Sequence, residues 1–243
     1  MQLFRNSSFL LRIMSALLFL LGSSSVGAQT FLPEGFPKWM GFYAGAGVGM
    51  ETWILKTKAA IAGHAVTATT NNGGYGAIGT ILAGYDYEFD NAMVVGAFVD
   101  GTLGSNATNN ISPTPGLIGK ITESGNWDIG ARIGHPINYI VLPYLTAGYS
   151  RTYFSNTHLN EALPQEPSTF LSTPGFNVGG WFLGAGLETE IISHWSLRGE
   201  YRFTSYHWES IPFNGVVDGV IVNNTQPTKA INQTVQALVT YRF

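Results

Sequence analysis

A 243-residue chain with no cysteine, 11% charged residues and a formal charge of −3 excludes several chemistries at the outset. Disulfides, thiolate metal centres, iron–sulfur clusters and a lipidated cysteine are ruled out, and a mildly acidic balance does not supply the basic face that nucleic acid requires. What the chain has in quantity is glycine (30 residues) and aromatic side chains (13%).

Residues 1–28 read "MQLFRNSSFLLRIMSALLFLLGSSSVGA". Arg5 and Arg12 make a basic start, Ile13 to Leu21 an apolar run, and Val26-Gly27-Ala28 a small-residue end. This layout predicts a secretory signal peptide over 1–28. The apolar run is too short for a membrane-spanning helix, which needs about 20 residues. Losing its two arginines takes the formal charge from −3 to −5. Residues 29–38, "QTFLPEGFPK", follow as a short periplasmic N-terminal linker. No later apolar run approaches spanning length, so no transmembrane helix is expected. An exported, charge-poor, aromatic-rich chain of this kind is a soluble all-β periplasmic protein or a membrane β-barrel.

From residue 39 the pattern is period two, the signature of strands. "GFYAGAGVGM" (41–50) is apolar on both faces and is assigned by position. "TILAGYDYEF" (80–89) sets Ile81, Ala83, Tyr85, Tyr87 and Phe89 opposite Leu82, Gly84, Asp86 and Glu88. "VVGAFVDG" (94–101) is again weak and apolar. "NWDIGARIG" (126–134) sets Trp127, Ile129, Ala131 and Ile133 opposite Asp128, Gly130, Arg132 and Gly134. In "VLPYLTAGYSRT" (141–152), Leu145, Ala147 and Tyr149 oppose Tyr144, Thr146, Gly148 and Ser150. "GWFLGAGLETEI" (180–191) puts Trp181, Leu183, Ala185, Leu187 and Ile191 opposite Gly184, Gly186, Glu188 and Glu190. "HWSLRGEYRFTSY" (194–206) places Trp195, Leu197, Tyr201 and Phe203 on one face and Arg198, Glu200 and Arg202 on the other. In the last strand Ala237, Val239, Tyr241 and Phe243 oppose Gln236, Thr240 and Arg242, with Leu238 the exception.

Eight strands result, the even number expected of bacterial single-chain barrels. Short connections at Asp90-Asn91, 135–139 and 192–194 alternate with four long ones at about 56–74, 105–122, 156–178 and 210–229. The long ones hold the turn formers, as in "TNNGG" and "VNNTQPTK". Short turns at one end and long loops at the other predict an eight-stranded antiparallel transmembrane β-barrel over 39–243, with its loops extracellular. Within a bilayer every backbone polar group needs a partner in the protein, so the last strand must pair with the first. Trp39, Trp127, Trp181, Trp195, Tyr241 and Phe243 lie near strand ends, where an interfacial aromatic girdle belongs. Asp86, Glu88, Asp128, Arg132, Glu188, Glu190, Arg198, Glu200, Arg202 and Arg242 then point inward as the charged filling of the barrel.

The stretches "KWMGFYAGAGVG", "GYDYEFDNAMVVGAF", "LPYLTAGYSRT", "SLRGEYRF" and the terminal "VTYRF" resemble the outer-membrane immunogenic protein family. These are small surface barrels of alphaproteobacteria, within the wider OmpA/OmpX-like group. The resemblance covers about residues 36–243. It implies an outer-membrane location and contact with outer-membrane lipids and lipopolysaccharide. It also implies a C-terminal assembly signal, read by the barrel assembly machinery, at Val239, Tyr241 and Phe243. Nothing follows Phe243, so the peptidoglycan-binding domain of full-length OmpA-type proteins is not expected.

The leading functional expectation is a non-enzymatic structural barrel that meets host or extracellular ligands through its loops, its interior plugged by side chains and no cofactor bound. An eight-stranded barrel is just wide enough for side chains to fill it. The alternatives are a narrow porin-like channel and a haem- or host-binding barrel. Haem binding would draw on His64, His158 and His207, which lack metal-ligand spacing. A lipid-modifying enzyme is weaker: in "SYHWES", His207, Glu209 and Ser210 would need mutual hydrogen-bonding distance, yet strand neighbours alternate faces. "GAGVGM" lacks the GxGxxG spacing of a nucleotide site. A soluble lipocalin-like barrel would need the apolar faces inside.

Overall fold

The computed structural model describes residues 39–61, 64–103, 109–110, 117–137, 140–161, 170–217 and 220–243. The expected signal peptide and linker lie outside them. Twelve strands occur among the described residues: β1 (Gly41–Ile61), β2 (His64–Glu88), β3 (Val94–Leu103), β4 (Asn109–Asn110), β5 (Leu117–Ile121), β6 (Glu123–Gly134), β7 (Val141–Phe154), β8 (Thr157–Glu161), β9 (Phe170–Thr173), β10 (Phe176–Ile192), β11 (Trp195–Val217) and β12 (Val220–Arg242).

Eight of them close a barrel. β1, β2, β3, β6, β7, β10, β11 and β12 pair antiparallel in that order, and β12 returns to β1 from Tyr43↔Arg242 to Thr57↔Thr228. Closure leaves no strand edge within the wall, as a backbone in lipid requires. The seam ends with the Phe243 N–H donating to the Phe42 carbonyl at 2.9 Å. The periplasmic turns are tight, and Ala92 and His194 take left-handed φ values of 62° and 70° there. β4, β5, β8 and β9 form a short outer ladder that joins β11 through β9.

Alternation follows the expected inversion. On β1, Phe42, Val48 and Met50 are exposed while Tyr43, Glu51, Trp53 and Leu55 are buried. Leu238, the exception to the polar face, packs inward with Tyr43, Leu82, Phe98 and Phe182. The inward glycines make room for this filling: a Cβ on Gly45 would lie 2.6 Å from the Val239 carbonyl oxygen and 2.7 Å from Thr240 Cγ2.

Two boundaries differ from the sequence reading. The segments expected as loops at 56–74 and 210–229 are mostly strand, because the β1–β2 and β11–β12 ladders continue to Ile61↔His64 and Val217↔Val220. Pro227 fits this ladder because it lies just past the last β1–β12 pair, where its missing N–H leaves no partner unmet.

Candidate functional site: the barrel interior

The inward positions build a layered filling. At the periplasmic mouth, Trp39, Val94 and Leu142 form a small apolar plug. The Trp39 N–H donates to Glu88 Oε2 at 2.8 Å, and its carbonyl accepts from Arg242 Nη1 at 2.9 Å.

Above the plug lies the first charge cluster. Arg132 binds both oxygens of Asp86, through Nε at 2.8 Å and through Nη2, and donates from Nη1 to Glu188 Oε2 at 2.6 Å. Arg242 Nη2 lies 3.0 Å from Asp86 Oδ2, and Thr240 Oγ1 donates to Glu188 Oε1 at 3.2 Å. A two-pronged guanidinium–carboxylate contact is among the stronger hydrogen-bonded pairs.

Tyr144 links this cluster to the next. Its ring lies 5.3 Å from the Arg132 guanidinium and 4.7 Å from that of Arg198. Its hydroxyl accepts from Arg198 Nε at 2.6 Å and donates to Glu200 Oε2 at 2.8 Å. Glu200 then bridges two arginines, accepting from Arg198 Nη2 at 2.7 Å and from Arg202 Nη2 at 2.6 Å. Arg202 also reaches Asp100 Oδ2 at 2.9 Å and Asp128. Asp100 and Asp128 are directly opposite in the β3–β6 ladder, so Arg202 holds apart two like charges. Phe98 and Phe182 cover the guanidinium faces of Arg202.

The extracellular half closes with a second apolar plug of Trp53, Leu55, Phe154, Val178, Tyr206 and Ala230. Trp53 stacks on Tyr206 at 5.4 Å and meets Phe154 edge-on at 5.4 Å. The Tyr206 hydroxyl bonds Thr152 at 2.7 Å and Ser150 at 3.1 Å. Asn232 Nδ2 donates to Glu51 Oε2 at 2.9 Å.

Of the expected interior charges, Asp86, Asp128, Arg132, Glu188, Arg198, Glu200, Arg202 and Arg242 are buried and converge, while Glu88 and Glu190 sit half-buried. Asp100, Glu51 and Glu123 are buried as well and were missed. Asp100 shares its parity with Thr102 and Glu51 with Trp53, which was the available signal, whereas a β-bulge between Glu123 and Gly125 turns Glu123 inward against the parity of Asn126 and Asp128. Trp39 corrects the girdle assignment: it is 1% exposed and lies inside the mouth, because Glu88 and Arg242 hold its backbone there. Trp127, Trp181, Trp195 and Phe243 do face outward, and Tyr241 packs against both Trp195 and Phe243. His207 bonds the Gly179 carbonyl through Nδ1 at 2.8 Å. Glu209 pairs with inward-facing Thr228 and Ser210 with Pro227, so adjacent residues diverge and no triad assembles. The side chains of His64 and His158 lie outside the described residues.

A closed antiparallel barrel with paired charges inside and an aromatic, aliphatic exterior defines an outer-membrane β-barrel. Residues 15–243 match the family model described as the outer membrane protein beta-barrel domain, and the chain belongs to that family. The protein resides in the outer membrane. It is 29% identical over 171 residues to the 31 kDa outer-membrane immunogenic protein of Brucella melitensis, covering 69% of this chain and 67% of that one. It is 36% identical over 87 residues to the 25 kDa outer-membrane immunogenic protein of Brucella ovis, covering 36% and 37%. The crystal structure of OprG from Pseudomonas aeruginosa shares the fold, with a TM-score of 0.51, 12% identity, and 86% and 99% of the two chains covered.

Proposed function

We propose that the protein is a non-enzymatic structural barrel of the outer membrane, closed to ions, which meets its surroundings through its extracellular end. The observation that carries this reading is the filling: two arginine–carboxylate clusters joined through Tyr144, with an apolar plug at each end. An ion moving through would have to break buried pairs whose separation leaves charges uncompensated.

Strand length supports the surface role. β1 and β2 have 21 and 25 residues, and β11 and β12 have 23 each, whereas a tilted strand spans a bilayer with about 9–11. The surplus carries each of these two hairpins beyond the membrane as a paired ladder, to Ile61↔His64 and to Val217↔Val220.

Planar-bilayer recording of the refolded protein tests closure. The expected trace has no steady unitary openings. A reproducible unitary conductance would favour the narrow-channel reading.

A further inference from the structure

We infer that the outer wall of the barrel carries a binding site for the phosphate of an outer-leaflet glycolipid, lipopolysaccharide, built on Lys56 of β1 and Lys229 of β12. The two lysines are directly opposite in the β1–β12 ladder. Their orientation is set by parity. On β1 the neighbouring Leu55 is buried, and on β12 Thr228 and Ala230 are buried, so Lys56 and Lys229 stand on the outer face.

Their height matches the outer headgroup region. Lys229 is twelve residues from Tyr241, which belongs to the periplasmic aromatic cluster with Trp195 and Phe243. At about 3.3 Å per residue and a tilt near 40°, that places it about 30 Å above the lower girdle. The apolar band of such barrels is about 25 Å tall. The outer face agrees: Val48, Met50 and Ile54 on β1, with Val239, Val235 and Ile231 on β12, lead up to the two lysines. Trp208 pairs with Lys229 across the β11–β12 ladder and is 44% exposed. Tryptophan is enriched at membrane–water interfaces, so its position beside Lys229 agrees with this depth.

The charge arrangement asks for an anion. Like charges directly opposite in adjacent strands oppose the pairing. Neither lysine makes a salt bridge among the described residues. The positions that pair with them are Asn71 and Trp208, and those two along on their own strands are Ile54, Lys58, Pro227 and Ile231. None of these carries a carboxylate. A lipid phosphate set between the two ammonium groups relieves the repulsion and accepts charge-assisted hydrogen bonds from both. The inference rests on the membrane location and not on closure of the barrel, so a conducting barrel would leave it standing.

The test is native mass spectrometry of the full refolded barrel, released from detergent after incubation with diphosphoryl lipid A, dephosphorylated lipid A or phosphatidylglycerol. Folding of each variant is checked first by the mobility shift between unboiled and boiled samples. The parent should retain diphosphoryl lipid A in preference to the other two. K56Q/K229Q should bind it about tenfold more weakly. K56R/K229R, which keeps both charges, should retain binding. Equal retention by the parent and K56Q/K229Q overturns the site. Equal retention of phosphatidylglycerol and lipid A by the parent overturns the glycolipid assignment. Should the double variant fail to fold, K56Q and K229Q singly are read against the same two outcomes.

Discussion

Replacing Arg202 by methionine removes the guanidinium that three carboxylates share while keeping the length and apolar contact of the side chain. Arg202 contacts Asp100 at 2.9 Å, Glu200 at 2.6 Å and Asp128, all nearly inaccessible to solvent. Glu200 would keep Arg198 and Tyr144. Asp100 and Asp128 would face each other across the β3–β6 ladder with no cation between them. Removing one partner from a buried ion pair costs about 3–5 kcal/mol, and two carboxylates stranded opposite each other place R202M at the top of that range. With a urea slope of about 2 kcal/mol/M, a loss of about 5 kcal/mol lowers the midpoint by about 2.5 M. Urea titration of the barrel in lipid vesicles, read by unboiled gel mobility, measures that shift. Adding D100N and D128N removes the stranded charges, so the triple variant should recover a large part of the loss. A midpoint within about 0.3 M of the parent for R202M would refute the claim that Arg202 neutralises this cluster.

Gly45→Ala should block folding, because its Cβ would meet the β12 backbone, whereas Gly199→Ala should be neutral, since nothing lies within 4 Å of that position; the heat-modifiable gel shift separates the two. Trp53→Ala should destabilise the extracellular plug by about 3–5 kcal/mol, measured by the same urea titration, since Trp53 is fully buried against Phe154 and Tyr206. Phe243→Ala should lower the assembled fraction in the outer membrane without changing the urea midpoint of the barrel that does assemble. Phe243 is 74% exposed and makes its ladder bond through the backbone.

The wall of the barrel was legible because alternation there is strict: on β11, Arg198, Glu200 and Arg202 alternate with Leu197, Tyr201 and Phe203, and the structure keeps that parity. Asp100 was hidden because "VVGAFVDG" puts small and apolar residues on both faces, so its single carboxylate did not declare a side. Glu51 was hidden because the first strand was expected to stop at Met50, although Trp53 and Leu55 continue its inward parity. The outer hairpins were misread for a related reason. Asparagine, threonine and glycine signal turns when only local chemistry is weighed, but here Asn71↔Lys56 and Asn72↔Leu55 are ordinary ladder pairs, fixed by the register of the strands below. Trp39 was placed by its proximity to a strand end, and only the contacts with Glu88 and Arg242 reveal which way it turns. Which side chains pair with which across the barrel is a property of closure, set by neighbours far apart in sequence.

A buried ion network is a poor source of net stability, since apolar replacements of similar volume are often as stable or more so. Its larger effect in this wall is on register. A slip of one residue reverses every side chain of a strand. For β11 that slip would present Arg198 and Arg202 to lipid, at about 2–4 kcal/mol each near the bilayer midplane. The sum approaches the whole stability of an ordinary domain, about 5–15 kcal/mol. It would also drive Leu197, Tyr201 and Phe203 into contact with Asp100 and Asp128, leaving those carboxylates without a cation. An all-apolar strand would pay no such penalty, because either face would suit the lipid. The arginines and carboxylates therefore discriminate among pairings more strongly than they stabilise the chosen one. Most of the charges accordingly sit on β2, β3, β6, β10 and β11, with Glu51 of β1 and Arg242 of β12 away from the middle of the seam, while the closing seam of β1 and β12 near the membrane centre is set by close glycine contacts and by Leu238.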